Sequence, residues 1–317
     1  MCGKGKKGVL ELLRTMKKLN CTDITLFWKL FDSQIQPIVT YAAEVWGLME
    51  NSDMEKLHTY AMKRFLNVPL HTSNKMIYCE TGRHPLCIQT CVKSIKYWLR
   101  LVSLPVDRLC VQAYNMLLRE HEKGKVNWVS KVKGTQTENG FGFVWLNQGV
   151  GNECQFLTEF KDRIISSYRQ TLHANMENSE KYTWYLSFKN VFEIERHLMH
   201  VTHRRHRCNL VRFRTRTLGL GSVKKWYEAA VSGICPVCKD DTSLDDEIHF
   251  LFLCPFFENI RTKYITTNKF VSHSDALIEL FSTKNEDVVC ALAKYVTEAM
   301  DVREKHTVDS NAVAMIT

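Results

Sequence analysis

The sequence predicts a mainly α-helical protein, and three observations lead there. Chain breakers are scarce, with 6 prolines and 14 glycines among 317 residues, which favours long helices over a sandwich of short strands. Apolar residues recur at helical spacing along most of the chain. The 45% hydrophobic content suffices to bury a sizeable core, spread at this length over two or three domains.

From Val9 to Leu19 the apolar positions follow a helical period, and a second helix pairs Leu26 with Leu30 and Phe27 with Phe31 before Pro37 kinks or divides it. The segment Ile38, Val39, Tyr41, Ala42, Val45 and Trp46 is apolar nearly all round, which implies burial among neighbouring helices. Gly47 ends it. Asn51 or Ser52 caps the next helix, whose stripe of Met54, Leu57, Ala61 and Phe65 runs until Pro69 stops it. A short helix from Thr72 or Ser73 is closed by Gly82, and Pro85 opens a longer one that turns Ile88, Val92, Ile95, Leu99 and Val102 toward a core.

After Pro105, the residues Leu109, Ala113, Met116 and Leu117 mark a helix ending near Gly124. The glycine-rich interval 134–152 reads as a loop, and helices resume from Cys154 to about His173 and from Lys181 to about His200. The expected organisation is a helical bundle over 1–133, a loop over 134–152, and a helical linker domain over 153–203. A basic arm with a metal-binding subdomain over 204–268 and a helical tail over 269–317 complete it.

A formal net charge of +9 and a pI near 8.9 favour phosphate-bearing partners. No secretory signal or membrane-spanning run is present in the sequence, so an intracellular protein, nuclear or cytoplasmic, is expected. Its 12 cysteines are then reduced and serve as buried small hydrophobes or metal ligands. Cys79, Cys87, Cys91 and Cys110 lie singly among apolar residues and are expected in the core.

The string CPVCKDDTSLDDEIHFLFLCP is different, because it sets Cys235 and Cys238 in a C-x-x-C turn, with His249 and Cys254 downstream. Such a turn lets two thiolates reach one metal, and a histidine and a third cysteine complete a tetrahedron, here for one zinc ion. With all four positions filled by protein the zinc is structural. In an unbroken helix, His249 and Cys254 would point about 140° apart, so the helix must end or unwind before Cys254. Pro255 supplies the reason, since it disfavours the α conformation at the residue before it and suits the first turn of a new helix. Asp240, Asp241, Asp245, Asp246 and Glu247 read as an acidic, solvated loop that repels phosphate.

Upstream, the interval from Glu195 to Glu228 contains no acidic residue and gathers Arg204, Arg205, Arg207, Arg212, Arg214, Arg216, Lys224 and Lys225, with Phe213, Trp226 and Tyr227 among them. These eight cations are the candidate contacts to RNA or DNA phosphates. His200, His203 and His206 stand among the arginines, whose charge argues against a second metal site. No nucleophile elbow, phosphate loop or dinucleotide fingerprint occurs, so neither a small-molecule substrate nor a catalytic centre is indicated.

The order LFDSQIQPIVTYAAEVWG, KRFLNVP, ETGRHPL, NLVRFRTRTLGL, CPVC and HFLFLCPFF resembles the region downstream of the polymerase palm in reverse transcriptases of non-LTR (LINE-type) retrotransposons. The resemblance covers most of the chain up to about Tyr264. It implies a helical thumb, a helical linker and a CCHC zinc knuckle whose ligands match Cys235, Cys238, His249 and Cys254. It also implies a nucleic-acid-binding fragment without polymerase activity, because the aromatic-x-Asp-Asp motif of the palm does not occur here. The pairs Asp240-Asp241 and Asp245-Asp246 lack that aromatic. The competing expectation is a zinc-stabilised helical protein-interaction module whose charge is incidental.

Overall fold

A computed structural model describes residues 2–49, 51–225, 228, 232–238, 240, 242–265 and 272–314. It is mainly α, with eighteen α-helices and no strand among the described residues. They run in the order α1 (Cys2–Lys18), α2 (Ile24–Leu30), α3 (Gln36–Val39), α4 (Ala43–Trp46), α5 (Ser52–Leu66) and α6 (Asn74–Thr81). Next come α7 (Leu86–Ser103), α8 (Leu109–Glu122), α9 (Trp128–Glu138), α10 (Gly142–Leu146), α11 (Glu153–Glu177) and α12 (Thr183–Leu186). The last six are α13 (Arg196–His200), α14 (Arg204–Arg214), α15 (Gly221–Lys224), α16 (Glu258–Tyr264), α17 (His273–Ser282) and α18 (Glu286–Ala314). None is long and apolar enough to cross a membrane among the described residues.

The break expected at Pro37 is a π-turn over Phe31–Ile35, after which Pro37 sits in the first turn of α3, where its missing N–H costs nothing. Asn51 caps α5 by accepting from the Met54 amide at 3.1 Å. Gly82 closes α6 with φ of +61°, and a Cβ there would lie 2.5 Å from the backbone nitrogen of Ile194.

The chain divides into two compact units that alternate along the sequence, one comprising Met1–Leu12, Lys29–Thr59 and His84–Asn175 and the other Leu13–Trp28, Tyr60–Arg83 and Met176–Thr317. In the first unit, buried Ile95, Trp98, Leu99, Val129, Val132, Val144 and Phe160 form the centre of the core. Trp98 and Trp145 stack there at 5.8 Å. Helix α4 lies against α7 so closely that a Cβ on Gly47 would sit 2.4 Å from the Ala43 carbonyl oxygen and 2.5 Å from that of Thr90. Thr90 Oγ1 donates to the Gly47 carbonyl at 3.1 Å and Ser94 Oγ to that of Ala43 at 2.9 Å.

Three readings of the sequence are corrected here. The interval 134–152 is not a loop, since it holds the second half of α9 and all of α10, with Gln136, Phe141, Val144 and Trp145 buried. Asn127 starts α9 through a reciprocal capping box with Ser130, and the apolar spacing of 141, 144 and 145 outweighs the glycines around it. Tyr41, just before α4, and Val45 on it are exposed, because the buried contact with α7 runs through the side carrying Ala43 and Gly47. The helix expected after Pro105 is α8, on which Leu109 and Met116 face outward and Val111 and Tyr114 inward. There the Tyr114 hydroxyl accepts from Trp98 Nε1 at 3.2 Å and donates to Gln148 at 2.8 Å. Cys87 and Cys110 are exposed as well, whereas Cys79 is buried and Cys91 half-buried.

In the second unit α18 is a core element rather than a tail, with Leu292, Ala293, Tyr295, Val296 and Ala299 all buried. Helices α13, α14, α16 and α17 pack against it. Phe213 stacks on Phe281 at 5.7 Å, and Phe250 meets Phe257 at 5.2 Å and Tyr295 at 5.9 Å. The helix expected over Lys181 to His200 stops at Leu186 and resumes at Arg196. The reason is Lys189, whose buried ammonium donates to the Glu193 carbonyl at 2.7 Å and pairs with Glu195, folding the chain back on itself.

Candidate metal centre

The C-x-x-C turn is built by a short hairpin. Ile234 and Leu244 form an antiparallel bridge, with the Cys235 amide donating to the Ser243 carbonyl at 3.0 Å and the Asp245 amide to that of Gly233 at 2.8 Å. At its tip the Asp240 carboxylate accepts from the Thr242 amide at 3.1 Å, the Thr242 hydroxyl at 2.8 Å and the Ser243 hydroxyl at 2.6 Å. Asp241 lies outside the described residues.

The return to Cys254 follows the path that the spacing demands. Residues His249–Leu253 form a π-turn, Cys254 is extended at φ −60° and ψ 119°, and its amide donates to the His249 carbonyl at 2.8 Å. A turn with i→i+5 bonds brings residues five apart back to one side, which an α-turn does not. Pro255 then opens a 3₁₀ turn that leads into α16. The carbonyls left free at the end of the turn are taken by Arg261, which donates to Leu251 and to Cys254, each at 2.8 Å.

The result brings one Sγ from each of Cys235, Cys238 and Cys254 and one ring nitrogen of His249 within 4.8 Å of one another, a group that can hold a metal ion. Metal–sulfur bonds of about 2.3 Å and metal–nitrogen bonds of about 2.0 Å in a tetrahedron imply sulfur–nitrogen separations of roughly 3.5 Å. Cys238 Sγ and His249 Nε2 are 3.5 Å apart. Cys235, His249 and Cys254 are buried and Cys238 is half-buried, so the cluster is closed rather than open to substrate. Hydrogen bonding from Cys254 holds the Cys235 thiol down at about 3 against the cost of burial, with His249 and the Cys238 and Val237 amides adding to it. That contact and burial together push the Cys254 thiol up.

Two carboxylates of the ligand loop are buried anchors, which corrects the reading of that whole stretch as solvated. Asp245 accepts from the Gly221 amide and from both terminal nitrogens of Arg303, one at 2.7 Å, while its own carbonyl accepts from the Ser222 amide at 3.0 Å. Glu247 takes two bonds from Arg216, at 2.9 and 3.0 Å. Burial pushes both carboxyls above their usual range, and Arg303 and Arg216 oppose it. Asp246 caps the following turn by accepting from the His249 amide at 2.8 Å.

The same pairings divide the eight candidate cations. Arg207 is buried and donates to the Thr22 carbonyl at 2.5 Å, with its guanidinium 5.3 Å from the Phe65 ring. Arg214 is buried as well, donating to Glu80 at 2.9 and 3.2 Å and pairing with Glu195 at 2.8 Å. Arg216 is bound by Glu247 and lies 5.3 Å from the Trp184 ring. Arg207 and Arg214 are corrected from phosphate contacts to structural groups, because their guanidinium groups are buried against protein partners, whereas Arg216 is half-buried with its Nε and one terminal nitrogen held by Glu247. Lys224 is half-buried and Lys225 exposed, while Trp226 and Tyr227 lie outside the described residues.

The remaining three arginines share one place. Arg204, Arg205 and Arg212 of α14 line a cleft of about 730 Å³ together with His203, and Asp301 and Glu304 of α18, the helix packed beside α14, line it as well. Arg204 and Arg205 are exposed and Arg212 is half-buried, its Nε donating to the Asn67 carbonyl at 2.7 Å.

A second polar cluster was not anticipated. Glu80, fully buried, gathers Arg214, the Tyr185 hydroxyl at 2.8 Å and His197 at 3.2 Å. Burial alone would raise the Glu80 carboxyl, but Arg214, the hydrogen bond from His197 and Lys189 together hold it at about 2. Nothing local in the sequence marks this group, since Glu80 and Arg214 are 134 positions apart.

Against known proteins the chain finds no match: no protein family, no curated protein and no solved structure is significantly similar to it.

Proposed function

We propose that the chain is a non-catalytic nucleic-acid-binding module held together by one structural zinc ion. Three sulfurs and an imidazole form the donor set that suits zinc among the available divalent metals, and four protein ligands leave no position for substrate. The observation that carries nucleic-acid binding is the cleft in which Arg204, Arg205 and Arg212 stand side by side with His203. Arginine forks match phosphate oxygens, and contacts of that kind are indifferent to base sequence. The likeness of the sequence to the thumb, linker and knuckle of LINE-type reverse transcriptases supports the same reading.

The test is binding of a labelled RNA duplex to the whole chain across a salt series. Log affinity should fall linearly with log salt, and Arg204→Gln with Arg212→Gln should flatten the slope by roughly 0.7 to 0.9 for each phosphate no longer neutralised. Metal content should stay at one zinc per chain. Absence of binding at low salt would instead favour an interaction module, for which the outward Leu109 and Met116 of α8 are the specific observation.

A further inference from the structure

The cleft on α14 is not simply basic. The neighbouring α18 brings Asp301 and Glu304 into the same lining as the arginines, and Asp301 forms an ion pair with Arg205. Asp301 is half-buried and Glu304 exposed, and no ion pair of Glu304 is found among the described residues. A polyanion entering this cleft therefore meets two carboxylates and one guanidinium already paired with a carboxylate. Among the described residues no Phe, Tyr or Trp lines it, so the larger aromatic stacking platforms are missing and the ligand is held chiefly by its backbone.

Resting on the nucleic-acid reading above, we propose that α18 is a built-in competitor for this site: Asp301 and Glu304 occupy the place of two backbone phosphates and lower the affinity of the cleft for polynucleotide. The geometry sets the mode of competition. Asp301 holds Arg205 as a phosphate oxygen would, and Glu304, one turn further along α18, adds a second like charge against the incoming backbone. Arg303 lies on the same helix and is tied to Asp245 beside the metal ligands, which keeps the competing carboxylates in register with the cleft. A partner that neutralised the acidic residues of α18 would open the site.

The experiment compares the whole protein with Asp301→Asn/Glu304→Gln, again with a labelled RNA duplex across a salt series. A control carries Asp162→Asn/Glu279→Gln, which makes the same charge change at exposed positions that do not line the cleft. The cleft variant should bind about tenfold more tightly at low salt and steepen the salt slope by roughly 0.7 to 0.9 for each additional phosphate neutralised. The control should gain far less. Arg205→Gln should change the affinity of the parent little, because that cation is already occupied, yet should remove part of the gain when added to Asp301→Asn/Glu304→Gln.

If the cleft variant and the control gain equally, the effect is net charge alone and the proposal falls. If the parent binds and the cleft variant matches it in affinity and slope, the competitor role falls while the nucleic-acid reading stands. If neither binds at low salt, both fall. Binding by the variant alone supports the competitor in its strongest form.

Discussion

Arg303 on α18 donates to both carboxylate oxygens of Asp245, which lies between the ligand positions Cys238 and His249. The metal loop and the long helix are thereby joined through a buried ion pair. Removing one partner of such a pair leaves an uncompensated charge and costs about 3–5 kcal/mol, whereas removing both costs less. Arg303→Met should show that loss in urea unfolding and should weaken zinc retention in a chelator competition. Asp245→Asn added to Arg303→Met should recover part of both.

Metal removal should act beyond the hairpin. Because α18 also reaches the ligand turn through Tyr295, whose hydroxyl donates to the Phe250 carbonyl at 2.6 Å, Cys235→Ser should loosen more than the residues around the ligands. Hydrogen exchange should accelerate over 243–264 and over the Tyr295–Arg303 stretch of α18, while α7 and α9, which share the tryptophan core, keep their protection. Unchanged exchange in α18 would show that the helix is held without the metal.

Glu80 gives a pH dependence with a definite sign. Its carboxyl is held at about 2 in the folded protein against an ordinary 4.5, so it contributes stability that is full above pH 4.5 and lost as pH falls toward 2. Glu80→Gln leaves the buried Arg214 with Glu195 as its remaining carboxylate and should cost up to about 3–5 kcal/mol at neutral pH. Urea midpoints of the parent and variant should converge as pH falls from 4.5 toward 2, where the parent's own Glu80 takes up a proton.

Gly47→Ala should destabilise the first unit by about 1–3 kcal/mol, in the range of overpacking, because the added methyl meets two backbone carbonyls that cannot turn aside. Thermal unfolding followed by tryptophan fluorescence reports it through Trp98 and Trp145. A change within about 0.5 kcal/mol would mean that α4 can shift away from α7.

The ligand quartet was legible because its information is local: C-x-x-C, a histidine and a cysteine ahead of proline constrain the backbone within twenty positions of one another. Even the unwinding before Cys254 followed from residue spacing, although its form as a π-turn did not. The basic interval was legible as composition and misleading as surface. Arg207, Arg214 and Arg216 look alike beside Arg204 and Arg212, and their roles depend on Thr22, Glu80 and Glu247, which only the fold brings near. Interval 134–152 failed for the opposite reason, since its glycine and polar content masked the continuation of the helix that Asn127 caps and a buried tryptophan.

The alternation of the two units along the chain bears on how the protein is made. Synthesis delivers every segment of the first unit by Asn175, but the second unit has two early segments, Leu13–Trp28 and Tyr60–Arg83, whose main partners come after Met176. Phe27 and Phe65 can stack early, at 4.4 Å, whereas Glu80 emerges from the ribosome as a carboxylate long before Arg214 exists to receive it. No single cut separates the units, so a nascent chain released early carries a finished half and the exposed beginnings of another.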